Sequence, residues 1–175
     1  MLATFAQLTS ANVCELEALN ILLTNDDGYD SIGIVALHRA LQNAGHRVTR
    51  VAPDRNYSGS STSLTLDLIK APQVPNQEFT RIFAVSGSPA TSVLLGATAL
   101  FTADQPAQLV ISGINDGANL GPATPISGTV GAAIAAIKLL NPALFNAGYV
   151  TVVPIDGNYT ADSTTRLVEL SNLAP

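Results

Sequence analysis

The sequence predicts an α/β sandwich with a mostly parallel sheet. Three observations carry this. Short apolar runs alternate with stretches of helical periodicity, in the order strand, helix, strand, then strand, helix, strand, helix, strand. The unusual polar loops all follow the ends of apolar runs, where open α/β sheets hold their ligands. The chain's 175 residues are 47% apolar and 12% charged, which suits one buried core and argues against disorder.

Each element has its own local signal. Ile21-Leu22-Leu23 is a short apolar run that stops at Asn25-Asp26-Asp27-Gly28, as a buried strand entering a loop does. Ser31 is placed to cap a helix with apolar positions Ile34, Leu37 and Leu41, and Gly45 ends it. Arg47–Ala52 is the next strand, halted by Pro53, and a polar loop, Asp54–Thr62, follows. Leu64–Ile69 alternates as a strand does, and Pro72 and Pro75 mark a turn-rich connection. Arg81–Val85 reads as a strand, and Pro89–Leu100 as a helix begun after Ser86-Gly87-Ser88. Leu109–Ile111 is a third buried strand. The Gly-rich loop Ser112–Gly128 leads into a helix over Thr129–Leu140, and Tyr149–Val153 is a last strand. The expected division is an arm over 1–19, a domain over 20–163, and a tail over 164–175 holding a short helix, Thr164–Leu170.

Composition excludes several functions. The formal charge is −5 and no Lys or Arg cluster exists, against duplex nucleic-acid binding. No apolar run reaches membrane-spanning length. The single cysteine, Cys14, rules out an internal disulfide framework and a Cys-rich zinc site. His38 reads as a partly exposed helix residue and His46 as a turn residue, so oxygen atoms would carry any chemistry. P-loop, dinucleotide-binding and nucleophile-elbow motifs are all missing. Residues 1–19 carry no secretory pattern, so the cytoplasm is the expected compartment, with export or the periplasm as the alternative.

Three loops would meet at one sheet edge: Asn25–Ser31, Asp54–Thr62 and Ser112–Gly128. Asp26 and Asp27 are adjacent carboxylates whose repulsion a hard divalent cation would relieve; an Asp-Gly turn explains the motif equally well. Ser58 lies in a loop of hydroxyls and amides suited to phosphate or a metal, or simply to solvent. Arg55 can meet a phosphate or pair with Asp54. Asn115 offers a neutral oxygen to a metal, and Asn119 can bind a base or sugar or brace its loop. Ser127-Gly128-Thr129 opens a long apolar helix, a position that serves anion binding and ordinary capping alike.

Four segments in order resemble one family: ILLTNDDG at 21–28, VAPDRNYSG at 51–59, VISGIN at 110–115 and SGTV at 127–130. They resemble the SurE family, the survival protein E metal-dependent phosphatases that act as 5′/3′-nucleotidases. The resemblance runs from about Asn20 to Leu140. It implies a three-layer, Rossmann-like sandwich holding one divalent ion, Mg²⁺ or Mn²⁺, with Ca²⁺ possible in crystals. The implied ligands are Asp26, Asp27, Ser58 and Asn115, with Asp26 and Asp27 also catalytic. The implied phosphate and substrate set is Asn25, Gly59, Asn119, Ser127, Gly128 and Thr129. Two positions depart from the pattern, with Ile32 replacing a usual proline and Ile126 a usual aromatic. The family's C-terminal excursion, used for assembly into dimers or tetramers, is shortened here to the few residues between Asn141-Pro142-Ala143 and Tyr149.

The function this implies is metal-assisted hydrolysis of a phosphate monoester, with a nucleoside 5′- or 3′-monophosphate as substrate. A non-catalytic nucleotide- or metal-binding domain is the alternative.

Overall fold

A computed structural model of the chain describes residues 18–139 and 151–152. The expectations for the arm, for the stretch between the last helix and last strand, and for the tail lie outside these residues.

Five strands form one parallel sheet. They are β1 (Asn20–Thr24), β2 (Arg47–Pro53), β3 (Ile82–Val85), β4 (Leu109–Ser112) and β5 (Thr151–Val152). The strand order is β3-β2-β1-β4-β5, every ladder being parallel. β1 occupies the centre because Ile21, Leu22 and Leu23 are apolar on both faces and fully buried. The chain leaves β1 toward β2 and β3, then returns to β1's other side with β4. The crevice between the carboxyl ends of β1 and β4 is therefore the topological switch point.

Alternation along the strands makes two cores. Ile21, Leu23, Val48, Ala52 and Ile111 face helix α1 (Ile32–Asn43), packing on Ile34 with Val35, Leu37 and Leu41 at the edge. Leu22, Val51, Val85 and Val110 face the other side, against Val93 of α2 (Pro89–Leu95) and Ala132 and Ala136 of α3 (Gly128–Leu139). Helices on both sheet faces make the three layers the sequence implied. No described helix is long and apolar enough to cross a membrane.

Most elements fall where periodicity placed them, and three differ. Leu64–Ile69 is not a strand. Its Thr65 amide donates to Thr91 Oγ1 of α2 at 2.8 Å, and just beyond the segment the Lys70 amide donates to Ser86 Oγ at 2.7 Å. No sheet covers its leucines, and Leu66 and Leu68 are 89% and 85% exposed. The α-helix begun at Pro89 ends at Leu95 and continues as a π-helical turn, Gly96–Leu100, in which the Thr98 hydroxyl takes the Leu94 carbonyl at 2.7 Å.

The third difference is His38, which is buried rather than partly exposed. Its ring lies 4.2 Å from that of Phe79, and the Arg50 guanidinium sits 4.9 Å from the same ring. Arg50 is itself buried on β2, on the α1 face shared by Val48 and Ala52. Helical spacing gave His38's position but not this cation–aromatic stack, which is assembled from three separate elements.

Candidate active site

β1 ends by delivering Asn25, Asp26 and Asp27 into the switch-point crevice. Asn25 is fully buried; its Nδ2 donates to Ser31 Oγ at 2.7 Å and its Oδ1 accepts from the Gly28 amide at 3.3 Å. The side chain thus braces the turn that carries the two aspartates. Ser31 stands at the N-cap of α1 but makes no capping bond, since its hydroxyl serves Asn25. Gly28 takes a φ of +119°, and the next amide, of Tyr29, donates to Pro53 O at 2.8 Å, joining the loop to the end of β2.

The Asp54–Thr62 loop docks directly on this turn. The Tyr57 amide donates to Asp26 O at 2.7 Å. Ser58 is exposed beside it, its amide held by Asn56 Oδ1 at 2.7 Å. Gly59 follows with φ +79°. Arg55 stacks 4.9 Å over the Tyr57 ring and stands 3.8 Å from Asp54 Oδ1.

The loop after β4 arrives from the other side. The Asp116 amide donates to Asp27 Oδ2 at 2.9 Å. Asn115 Nδ2 donates to Gly117 O at 2.9 Å, which orients the amide and turns Oδ1 toward the aspartates. There the Thr129 hydroxyl stands between them, donating to Asp26 Oδ1 and lying 3.1 Å from Asn115 Oδ1. One hydroxyl thus lies between ligand candidates 89 positions apart.

Helix α3 reaches the site through its glycines. A Cβ on Gly128 would lie 2.8 Å from Asp26 Oδ2 and 2.6 Å from Ser60 Oγ. One on Gly131 would lie 1.8 Å from the Ser61 carbonyl oxygen. Any other residue at these positions would hold the helix off both loops. Ser127 is the N-cap, its Oγ accepting from the Val130 amide at 3.2 Å. In the first turn of α3 the amides of Gly128 and Thr129 precede the helix's own hydrogen bonds, while that of Val130 is taken by Ser127 Oγ.

The charges are as crowded as the sequence implied. Burial pushes the Asp27 carboxyl above the usual range; the Asp116 amide opposes this, and the charges of Asp26 and Asp116 add to it. Among the described residues no three His, Cys, Asp or Glu side chains gather to bind a metal. A cation here would be held by two carboxylates and neutral oxygens, the donor set a hard divalent ion prefers. Two further polar atoms, Ser60 Oγ and Asn119 Nδ2, are buried without a hydrogen-bond partner. Such atoms suit a ligand's oxygens better than an apolar interior.

Asp26, Asp27, Asn115 and Thr129 therefore gather at one place, with the Tyr57 amide of the serine loop bonded to the Asp26 carbonyl. Asn119 is buried nearby in the chain, its carbonyl accepting from Thr124 Oγ1 at 3.2 Å. Sequence reasoning placed Thr129 in a phosphate loop and missed that its hydroxyl turns inward. A β-branched hydroxyl one residue inside a helix that opens on a carboxylate is the signal that could have found it.

A family model described as Survival protein SurE matches residues 21–149. The chain belongs to the SurE family. The 5′-nucleotidase SurE of Actinobacillus pleuropneumoniae serotype 5b is 45% identical over 127 residues, covering 72% of this chain and 48% of that protein. The 5′-nucleotidase SurE of Xylella fastidiosa strain M12 is 46% identical over 117 residues, covering 66% of this chain and 42% of that protein. The crystal structure of the SurE protein from Aquifex aeolicus superposes with a TM-score of 0.64 at 35% identity, over 89% of this chain and 62% of that one. The SurE chain described here thus spans about half the length of the curated relatives it matches.

Proposed function

We propose that this SurE chain carries the catalytic site of a metal-dependent phosphoric monoester hydrolase acting on nucleoside 5′- or 3′-monophosphates. The observation that carries the proposal is the meeting of Asp26 and Asn115 at the Thr129 hydroxyl, with Asp27 held by the Asp116 amide at the same switch point. The 5′-nucleotidase names of its relatives support the substrate class.

Asp26, Asp27, Ser58 and Asn115 would hold one divalent ion, Mg²⁺ or Mn²⁺. When bound, that ion polarises a phosphoryl oxygen and acidifies a coordinated water. The chain's own residues do the rest. Thr129 fixes the relative position of the Asp26 and Asn115 oxygens, and the Asp116 amide fixes Asp27. The amides of Gly128 and Thr129 at the start of α3 bind the equatorial phosphate oxygens and steady their growing charge. The Asp27 carboxyl, half-buried and raised in pKa, is a candidate to take a proton. The dimer or tetramer implied by the family belongs to the same proposal, and the exposed Leu66 and Leu68 support a covered surface in the assembly.

EDTA is expected to abolish hydrolysis of nucleoside monophosphates, and Mn²⁺ or Mg²⁺ to restore it. Undiminished turnover in metal-stripped protein would overturn the proposal. Tight nucleotide binding with no turnover under either metal would make the chain a binding domain instead.

A further inference from the structure

A second cavity opens at the opposite edge of the sheet. It occupies about 420 Å³ where the amino ends of β1 and β2 approach the segment after α2, and its lining includes His38, His46, Arg47, Arg81, Phe101 and Gln105. The span of β1 separates it from the aspartates, on the order of 13 Å of strand. The protein is acidic, with eight Lys and Arg residues and two His. Two of those arginines and both histidines line this one cavity, and no Asp or Glu does among the described residues.

The arginines are held in place by neutral acceptors. Arg47 Nε donates to Asn20 Oδ1 at 2.7 Å and its Nη2 to Ala18 O at 3.3 Å. Arg81 Nε donates to Thr49 Oγ1 at 2.8 Å and its Nη2 to Leu100 O at 2.8 Å. These bonds fix each guanidinium without neutralising it. Two fixed positive charges match a phosphate monoester, which carries about −1.5 to −2 near neutral pH. His38 adds a buried polar side chain whose Nδ1 has no hydrogen-bond partner. It stays uncharged at neutral pH, because burial and the Arg50 charge hold its pKa at about 4. The volume lies within the roughly 300–1,000 Å³ of small-molecule pockets, leaving room for an organic body beside the Phe101 ring.

We propose that this cavity is a second binding site, specific for a phosphate monoester of mononucleotide size. Arg47 and Arg81 take the phosphate, while Phe101 and Gln105 contact the organic body. The site is independent of the hydrolytic one and stands whether or not that activity is confirmed.

The test is a two-dimensional amide NMR titration of the protein in EDTA with AMP, and separately with inorganic phosphate. AMP should shift the amides of Thr49, Arg81, Phe101 and Gln105 as a set, with a dissociation constant below about 1 mM. Arg81→Gln should weaken that response at least about tenfold. The amides of Asp27, Asn115 and Gly128 should keep their positions in the variant, showing that it folds, and its Mn²⁺-supported hydrolysis should match the parent. Arg47→Gln repeats the test should Arg81→Gln unfold. Absence of shifts at the cavity, or an unchanged response in folded variants, would overturn the site. Equal affinity for inorganic phosphate and AMP would overturn the mononucleotide-sized ligand.

Discussion

At the carboxyl edge of the sheet, β1 and β4 bring Asp26 and Asn115 together at Thr129, with Asp27 on the Asp116 amide; at the amino edge, the same sheet leaves Arg47 and Arg81 beside a cavity without acids. The carboxyl edge is built from oxygen atoms that repel until something positive joins them. The amino edge is built from guanidiniums tethered by neutral partners. A parallel sheet makes such a division possible, because the loops after all its strands lie at one edge and the loops before them at the other. An acidic protein therefore holds two ligand chemistries apart without a domain boundary.

The largest expected effect breaks the acidic edge. Asp27→Asn should lower kcat/KM for a nucleoside monophosphate by about 100-fold or more, as loss of several kcal/mol of charge stabilisation requires. An unchanged rate in steady-state assays would remove Asp27 from the site. Next comes the bridge behind the ligands. Thr129→Val should cost about 10–100-fold in Mn²⁺ affinity, measured by titration calorimetry, while the far-ultraviolet circular dichroism is retained.

The basic side responds to pH instead. Between His38's folded pKa of about 4 and its ordinary 6.5, the unfolded chain takes up a proton that the folded chain refuses. Stability should therefore rise with pH across that window and fall on acidification. Urea midpoints followed from pH 4 to 6.5 should rise less steeply in His38→Leu than in the parent. The smallest effect is expected for the exposed Arg39–Glu78 pair, whose atoms approach to 2.5 Å with both side chains about half exposed. Arg39→Gln should leave the melting temperature without resolvable change.

The fold was largely legible because its signals are local. Ile21–Leu23 and Val110-Ile111 read as buried strands from composition alone, and Gly45 ends α1 as a left-handed residue with φ +90°. Leu64–Ile69 misled for a physical reason. Its alternation fits a strand, but its Thr65 amide is taken by the hydroxyl of Thr91, 26 positions away, rather than by a neighbouring strand. The aspartates and Asn115 were legible as residue types, and their meeting is a property of strand order. Thr129's inward bond and the Arg50–Phe79–His38 stack depend on rotamers and on elements distant in sequence, which no spacing rule encodes.

The contact of Gly131 with the Ser61 carbonyl has a mechanical meaning. With no side chain between them to yield, α3 and the serine loop can only travel as one lever, as close-packed interiors transmit displacement rather than absorb it. A shift of α3 would therefore be felt first at Ser61, where the serine loop meets it.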